Sequence, residues 1–188
     1  MNNYCVDLNL NLSPLLPEID INSFSTEPWQ LLGLDLINPE VKNLFKSLNL
    51  NLRMAGMFVL TENSSGLIHT DGPPGRDISK LNWVVGSDNH TMNWYQIKDT
   101  TVQKIIETKV SDTGNLPPRD YTPYRPDEVE LIHSQSVGYP SLIQAGIPHN
   151  VNNFKGTRRC ITLALFTRSG GKLTMSQACE RFSQYIKN

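Results

Sequence analysis

The first periodic stretch lies near the amino end, where Val6, Leu8, Leu10 and Leu12 alternate with Asp7, Asn9 and Asn11. A period of two puts the four apolar side chains on one face of an extended chain, which predicts a first strand over 6–12. The period changes at Asn38-Pro39-Glu40. Asn38 is a capping side chain, Pro39 has the φ that suits the first helical position, and Glu40 sits beside the positive end of the helix dipole. Val41, Leu44, Phe45 and Leu48 follow at helical spacing, so a short helix is expected over 39–48. Residues 52–61, with the apolar run Met57-Phe58-Val59-Leu60, read as a strand closed by the turn-forming Glu62-Asn63-Ser64-Ser65-Gly66. Leu67-Ile68-His69 starts the next strand, and others are expected over 80–85, 92–97, 129–137, 141–144 and 158–166. Thr174-Met175-Ser176-Gln177 forms a T-x-x-Q capping box. With the stripe Met175, Ala178, Cys179, Phe182 and Ile186, it predicts a closing helix over 175–187.

Many short strands with few helices between them predict a mainly β fold, a sandwich or jelly roll rather than a βαβ sheet. A chain of 188 residues can bury a sizeable core unaided, so one domain is expected over 1–188, with its strand core at about 52–166. The alternation fades between 98 and 127, where Pro117-Pro118-Arg119-Asp120-Tyr121-Thr122-Pro123-Tyr124-Arg125-Pro126 reads as a long irregular excursion. Two readings of it stand side by side, a lid that meets substrate and a solvated insertion.

Composition then narrows the partners. A formal net charge of −1 and a pI near 6.4 lack the clustered basic excess that phosphate backbones attract, so nucleic acid is not an expected partner. Cys5, Cys160 and Cys179 are odd in number and have no C-x-x-C spacing, which points to a reducing compartment and hence the cytoplasm. No stretch approaches the roughly 18 apolar residues of a membrane span, and the amino end lacks a leader pattern.

The candidate chemistry begins at His69-Thr70-Asp71. Two residues apart at a strand end, the imidazole and the carboxylate project from one face and can bite one metal. His149 stands in a second polar, turn-like run, Gly146-Ile147-Pro148-His149-Asn150-Val151-Asn152-Asn153. Two imidazoles and one carboxylate make a facial triad with open coordination places, the arrangement non-haem iron(II) oxygen chemistry uses. Downstream, Arg159, Ile161, Leu163 and Leu165 alternate with Arg158, Cys160, Thr162 and Ala164. The smaller set suits the lining of a ligand cavity, which selects Arg158 as the cavity arginine and leaves Arg159 as the fallback. A buried guanidinium there would need an anion, and a carboxylate fits it through two parallel hydrogen bonds.

H-x-D, a distant P-H-x-V-x-N and an arginine opening the next strand together resemble the iron(II)/2-oxoglutarate-dependent dioxygenase superfamily. The likeness covers about Gly56 to Phe166. Within the superfamily, His69-Thr70-Asp71-Gly72, Leu81-Asn82-Trp83, Met92-Asn93-Trp94-Tyr95 and Ile147-Pro148-His149 look like small stand-alone prolyl or aspartyl/asparaginyl hydroxylase-like members. The resemblance implies a double-stranded β-helix, a cupin-like jelly roll with a few flanking helices. It also implies Fe(II) held by His69, Asp71 and His149, O2 as oxidant, and 2-oxoglutarate as cosubstrate with its far carboxylate on Arg158. Cys160 stands where the family often has serine two residues after that arginine, and Thr162 is the nearby hydroxyl. Asn82, Trp94 and Gln144, mid-strand among apolar neighbours, are candidates for the same pocket or for ordinary sheet packing. Arg76, Tyr121, Tyr124 and Arg125 are candidate substrate contacts or solvated loop residues. The implied activity is hydroxylation of a C–H bond in a small molecule or a protein side chain, with release of succinate and CO2. A metal-dependent cupin enzyme that uses no 2-oxoglutarate and a catalytically silent jelly-roll module are the alternatives.

Overall fold

The computed structural model describes residues 4–73, 75–98, 106–108, 119–138 and 140–187, with backbone alone for 106–108 and 119–121. Its strands are β1 (Cys5–Asp7), β2 (Trp29–Leu32), β3 (Leu50–Leu60), β4 (Ser64–Ser65), β5 (Ile68–Asp71), β6 (Ser79–Gly86) and β7 (His90–Ile97). After these come β8 (Ile106–Thr108), β9 (Arg119–Tyr124), β10 (Val129–Gln135), β11 (Ser141–Gln144), β12 (His149–Asn153) and β13 (Arg158–Thr167). Two α-helices accompany them, α1 (Pro39–Ser47) between β2 and β3 and α2 (Met175–Arg181) after β13. The protein is therefore mainly β. Among the described residues every strand pairing is antiparallel, in two sheets ordered β1-β11-β6-β13-β3-β2 and β10-β7-β12-β5-β9-β8, with β4 attached to β12.

The two faces of the first sheet do different work. Leu81 and Trp83 of β6, Ile161, Leu163 and Leu165 of β13, and Met57 and Val59 of β3 share one face. Val41, Leu44 and Phe45 of α1, Met175 and Ala178 of α2, and Leu8, Leu10 and Leu15 of the amino-terminal segment join them in the main apolar core. At about 25 cal/mol per Å² of apolar surface removed from water, this core is the principal stabiliser of the scaffold. The opposite face carries Lys80, Asn82 and Val84 of β6 with Arg158, Cys160 and Thr162 of β13, and it looks onto the second sheet. A smaller cluster of Met92, Trp94, Val137 and Ile143, with Val84 and Val151 against it, fills part of that interval. Trp94 Nε1 also donates to the Gln144 carbonyl across it at 3.0 Å.

Helix α1 begins as its capping residues predict, with Asn38 Oδ1 accepting from Glu40 N at 2.9 Å. Four expectations are corrected. The amino-terminal strand stops at Asp7. Beyond it Leu8 and Leu10 remain buried and Asn9 and Asn11 exposed, but the segment lies on the core with only a single bridge, Leu8 to Ile186. Side-chain alternation therefore survives without a ladder. The closing helix ends at Arg181 with Phe182 as its cap, and a short 3-10 turn follows. The run containing His149 is a strand from 149 to 153, not a turn. The 98–127 stretch contains β8 and β9, the latter pairing with β5. Proline cannot donate to a ladder, which is why a segment with Pro123 reads as irregular from its sequence. Residues 99–105 and 109–118 of that stretch, and with them the question of a lid, lie outside the described residues.

Candidate metal centre

Two features of strand pairing bring His69, Asp71 and His149 together. His69 and Asp71 are two apart on β5 and so share a face. His149 opens β12 directly opposite His69, which places the two rings side by side with centroids 4.6 Å apart. The possible ligand atoms of the three residues all lie within 4.8 Å of one another. Asp71 Oδ1 is 4.0 Å from His69 Nε2, and Oδ2 is 3.8 Å from His149 Nε2. After Asp71 the chain turns away at Gly72, whose φ of +112° is open only to glycine at low cost, while Thr70 Oγ1 donates to the Gly72 carbonyl.

The hydrogen bonds of the rings settle which nitrogen faces inward as a donor of electrons. His69 Nδ1 lies 2.8 Å from the Leu67 carbonyl, and His149 Nδ1 lies 2.8 Å from the Ile147 carbonyl. A carbonyl oxygen only accepts, so each Nδ1 carries a proton, and in the neutral ring Nε2 is the atom with the free lone pair. When both rings are neutral, two imidazole lone pairs and a carboxylate converge, a donor set that fits a divalent cation. These residues form a possible metal site.

Its electrostatics agree. Burial alone would raise the Asp71 carboxyl, but the Lys80 ammonium, and after it His69 and His149, outweigh this and hold it well below the usual carboxylate range. Burial, with His69 adding to it, pushes the His149 imidazole down to about 4, against a smaller upward pull from Asp71. The His149 ring is thus neutral at neutral pH. In the unfolded chain its pKa is near 6.5, so the unfolded state binds more protons between about 6.5 and 4. The stability this group contributes to the metal-free protein is complete above 6.5 and is lost as pH falls towards 4. We expect urea midpoints of the metal-free protein to drop between pH 7.5 and 5, and to drop less in His149→Asn. An equal drop in both proteins would refute the assignment to His149.

Arg158 and Arg159 point to opposite faces of β13. Arg159, with the apolar set, donates from Nη1 to Asn22 Oδ1 at 3.2 Å and belongs to the amino-terminal covering of the core. Arg158 is 2 % exposed and faces the second sheet with Cys160 and Thr162. Its Nε has no hydrogen-bond partner, and among the described residues no carboxylate lies within ion-pair distance of it. Thr162 Oγ1 and Asn82 Oδ1, cross-strand neighbours on that face, are also buried without a partner. Three polar groups buried without a partner thus share this face, while Arg159 Nε and Trp83 Nε1 on the core face are likewise unpartnered.

No protein-family model matches the chain, and no curated protein matches it. Among solved structures, the chain is similar to the crystal structure of peruvianin-I, a cysteine peptidase from Thevetia peruviana latex. That likeness has 13% sequence identity and a TM-score of 0.33, and it covers 90% of this chain and 93% of that one. Overlap so loose carries no argument about fold or chemistry.

The other candidates lie apart from the triad or have their polar groups engaged. Trp94 is beside His149 in register, but its indole N–H is spent on the Gln144 carbonyl. The Gln144 amide donates to Asp77 Oδ1 at 2.7 Å and accepts from Ile78 N and Gly146 N, a structural role. Arg76 is exposed. Arg125 is exposed and pairs with Asp127 and Glu128 at 3.3 Å each, bracing the turn before β10. Tyr124 is in register with Ile68, on the face away from His69. Tyr121 is in register with Asp71, and its side chain lies outside the described residues. His90 and His133 stand outside the cluster, His90 between the Ser87 and Val137 carbonyls and His133 stacked on Tyr4.

Sequence reasoning missed Lys80, whose Nζ is 2.7 Å from Asp71 Oδ2. The signal was available, since Lys80 and Asn82 interrupt the apolar set of β6 at a period of two. It also missed Gly146. A Cβ there would run into the Arg76 carbonyl oxygen, a backbone atom that cannot swing aside. The bend that brings Ile147-Pro148-His149 into place depends on this close approach. Gly146→Ala should cost about 1–3 kcal/mol by overpacking and weaken metal binding with it. Chemical denaturation and metal titration check this, and unchanged values in both would contradict it.

Proposed function

We propose that this chain is an iron(II)- and 2-oxoglutarate-dependent oxygenase built on a double-stranded β-helix of the cupin type. The observation that carries this reading is the pairing of a two-histidine, one-carboxylate cluster with a buried arginine that has no counter-ion among the described residues. The metal donors alone fit several divalent ions and several chemistries. Arg158 narrows the choice, because a guanidinium kept from water costs several kcal/mol unless an anion meets it. The far carboxylate of 2-oxoglutarate is such an anion. Two antiparallel sheets facing across the site are the arrangement a jelly roll requires.

In this reading His69 Nε2, His149 Nε2 and one Asp71 oxygen hold the iron, and the two Nδ1–H···O=C bonds fix both rings in the ligating tautomer. Arg158 grips the cosubstrate's distal carboxylate, Thr162 Oγ1 donates to it, and Asn82 lies alongside. Cys160, buried between them, fills the place of a second hydroxyl with a larger, weakly bonding sulfur. Val84 and Phe58 flank this face of the sheet and limit water. Bound iron(II) supplies activation of O2, so that 2-oxoglutarate leaves as succinate and CO2 while a substrate C–H bond is hydroxylated. No side chain is needed as a general base. The substrate is a small molecule or a protein side chain, the protein works in the cytoplasm, and nucleic acid is not its partner.

The test is succinate release from 2-oxoglutarate in air by Fe(II)-loaded protein, screened across amino acids, peptides and small metabolites. Succinate formation that needs both iron and an intact His69 supports the reading. Absence of metal-dependent succinate with every compound sinks it.

A further inference from the structure

Among the described residues, Lys80 is the cation in contact with the triad. Its ammonium stands 2.7 Å from Asp71 Oδ2, in an ion pair that joins β6 of one sheet to β5 of the other. Both side chains are largely buried, at 13% and 20% exposure, and Nζ lies 5.9 Å from the centre of the Phe58 ring. The two oxygens of Asp71 face different imidazoles, Oδ1 towards His69 and Oδ2 towards His149. Left to itself, such a carboxylate can ligate through either oxygen or through both.

We infer that Lys80 is a positioning residue that keeps Asp71 a one-oxygen ligand. Its charge-assisted hydrogen bond engages Oδ2, so that Oδ1 is the atom offered to the metal. The inference rests on the metal site proposed above. Its chemical consequence is a vacancy. Two imidazoles and a one-oxygen carboxylate fill three places of an octahedral ion and leave three for a chelating cosubstrate and O2, whereas a two-oxygen carboxylate takes one of those away. The second consequence is a cost in affinity, because a fixed positive charge beside the site repels a divalent ion.

A merely structural lysine and a positioning lysine predict opposite signs. If Lys80 only props up the site, its loss loosens the ligands and weakens metal binding. If it holds Asp71 to one oxygen, Lys80→Met removes the repelling charge and frees the second oxygen. Metal binding then tightens, by about 10-fold, the size of ordinary outer-shell effects but the opposite sign. Cobalt(II) is the probe, because its visible absorption reports coordination number and geometry. Titration of the full chain should give tighter cobalt binding and an altered absorption spectrum for Lys80→Met, while Lys80→Arg, which keeps charge and donor, stays close to wild type. Lys80→Gln serves as a second neutral variant should Lys80→Met fail to fold, and charge removal alone predicts tighter binding there as well. Unchanged or weaker binding in a folded neutral variant overturns the inference, whatever its spectrum. Wild-type protein whose cobalt binding is absent, or indifferent to His69→Ala, overturns the metal reading itself and the inference with it.

Discussion

Asp71→Ala is expected to lower divalent-metal affinity by more than about 100-fold, beyond what loss of an outer-shell partner costs, and to abolish 2-oxoglutarate turnover. The substitution removes the anionic member of the donor set, leaving two imidazoles in a site that Lys80 borders. It also breaks a largely buried ion pair. Removing one partner of such a pair costs about 3–5 kcal/mol when the other stays dry, and Lys80 at 13% exposure sits near that limit. The metal-free variant should therefore be less stable than wild type, with a smaller gain on adding metal. Asp71→Asn separates the two effects, since its amide oxygen still accepts from Lys80 but is a poor metal ligand. We expect it to recover much of the stability and little of the affinity. Equilibrium dialysis with metal and urea denaturation without it measure the pair, and metal binding within a few-fold of wild type in Asp71→Ala would contradict the assignment.

Arg158→Met should do the reverse, stabilising the protein or leaving it unchanged while removing cosubstrate binding. The guanidinium is 2 % exposed, its Nε is unpartnered, and no described carboxylate pairs with it, so an apolar side chain of similar reach relieves a desolvation cost. In the proposed complex the same side chain would partner a buried carboxylate, and truncating it would cost about 2–5 kcal/mol, a factor of about 30 or more in affinity. Arg159→Ala is the control. It loses the contact with Asn22 and some packing, and so lowers stability with little change in the KM for 2-oxoglutarate. Should Arg159→Ala raise the KM and Arg158→Met leave it alone, the facing of β13 has been misread.

The opposition of these two arginines was legible in the sequence because strand parity is local. Once 158–166 is a strand, neighbours must face opposite ways, and the bulk of Ile161, Leu163 and Leu165 tells which face meets the core. The H-x-D spacing was legible for the same reason. The strand identity of 149–153 was not. Asn150, Asn152 and Asn153 have poor strand propensity, and β12 exists because β7 offers a ladder and Asn93 and Tyr95 donate to Asn150 Oδ1. Lys80 was hidden in another way. Its place on a face is local information, but its partner comes from the other sheet, and only the packing of the two sheets reveals the 2.7 Å contact. The division of labour in the first sheet follows from the same geometry. One face carries the apolar core with both helices, and the other carries Arg158, Thr162 and Asn82, each with a buried polar atom that has no partner.

The claim that the triad and Arg158 serve one bound molecule is tested most directly by anaerobic calorimetric titration of 2-oxoglutarate into the protein, with and without Fe(II). Saturable binding of one molecule per chain is expected, requiring the metal and lost both in Arg158→Met and in His149→Ala. Binding of equal strength without iron, or no binding to the iron-loaded protein, would contradict it.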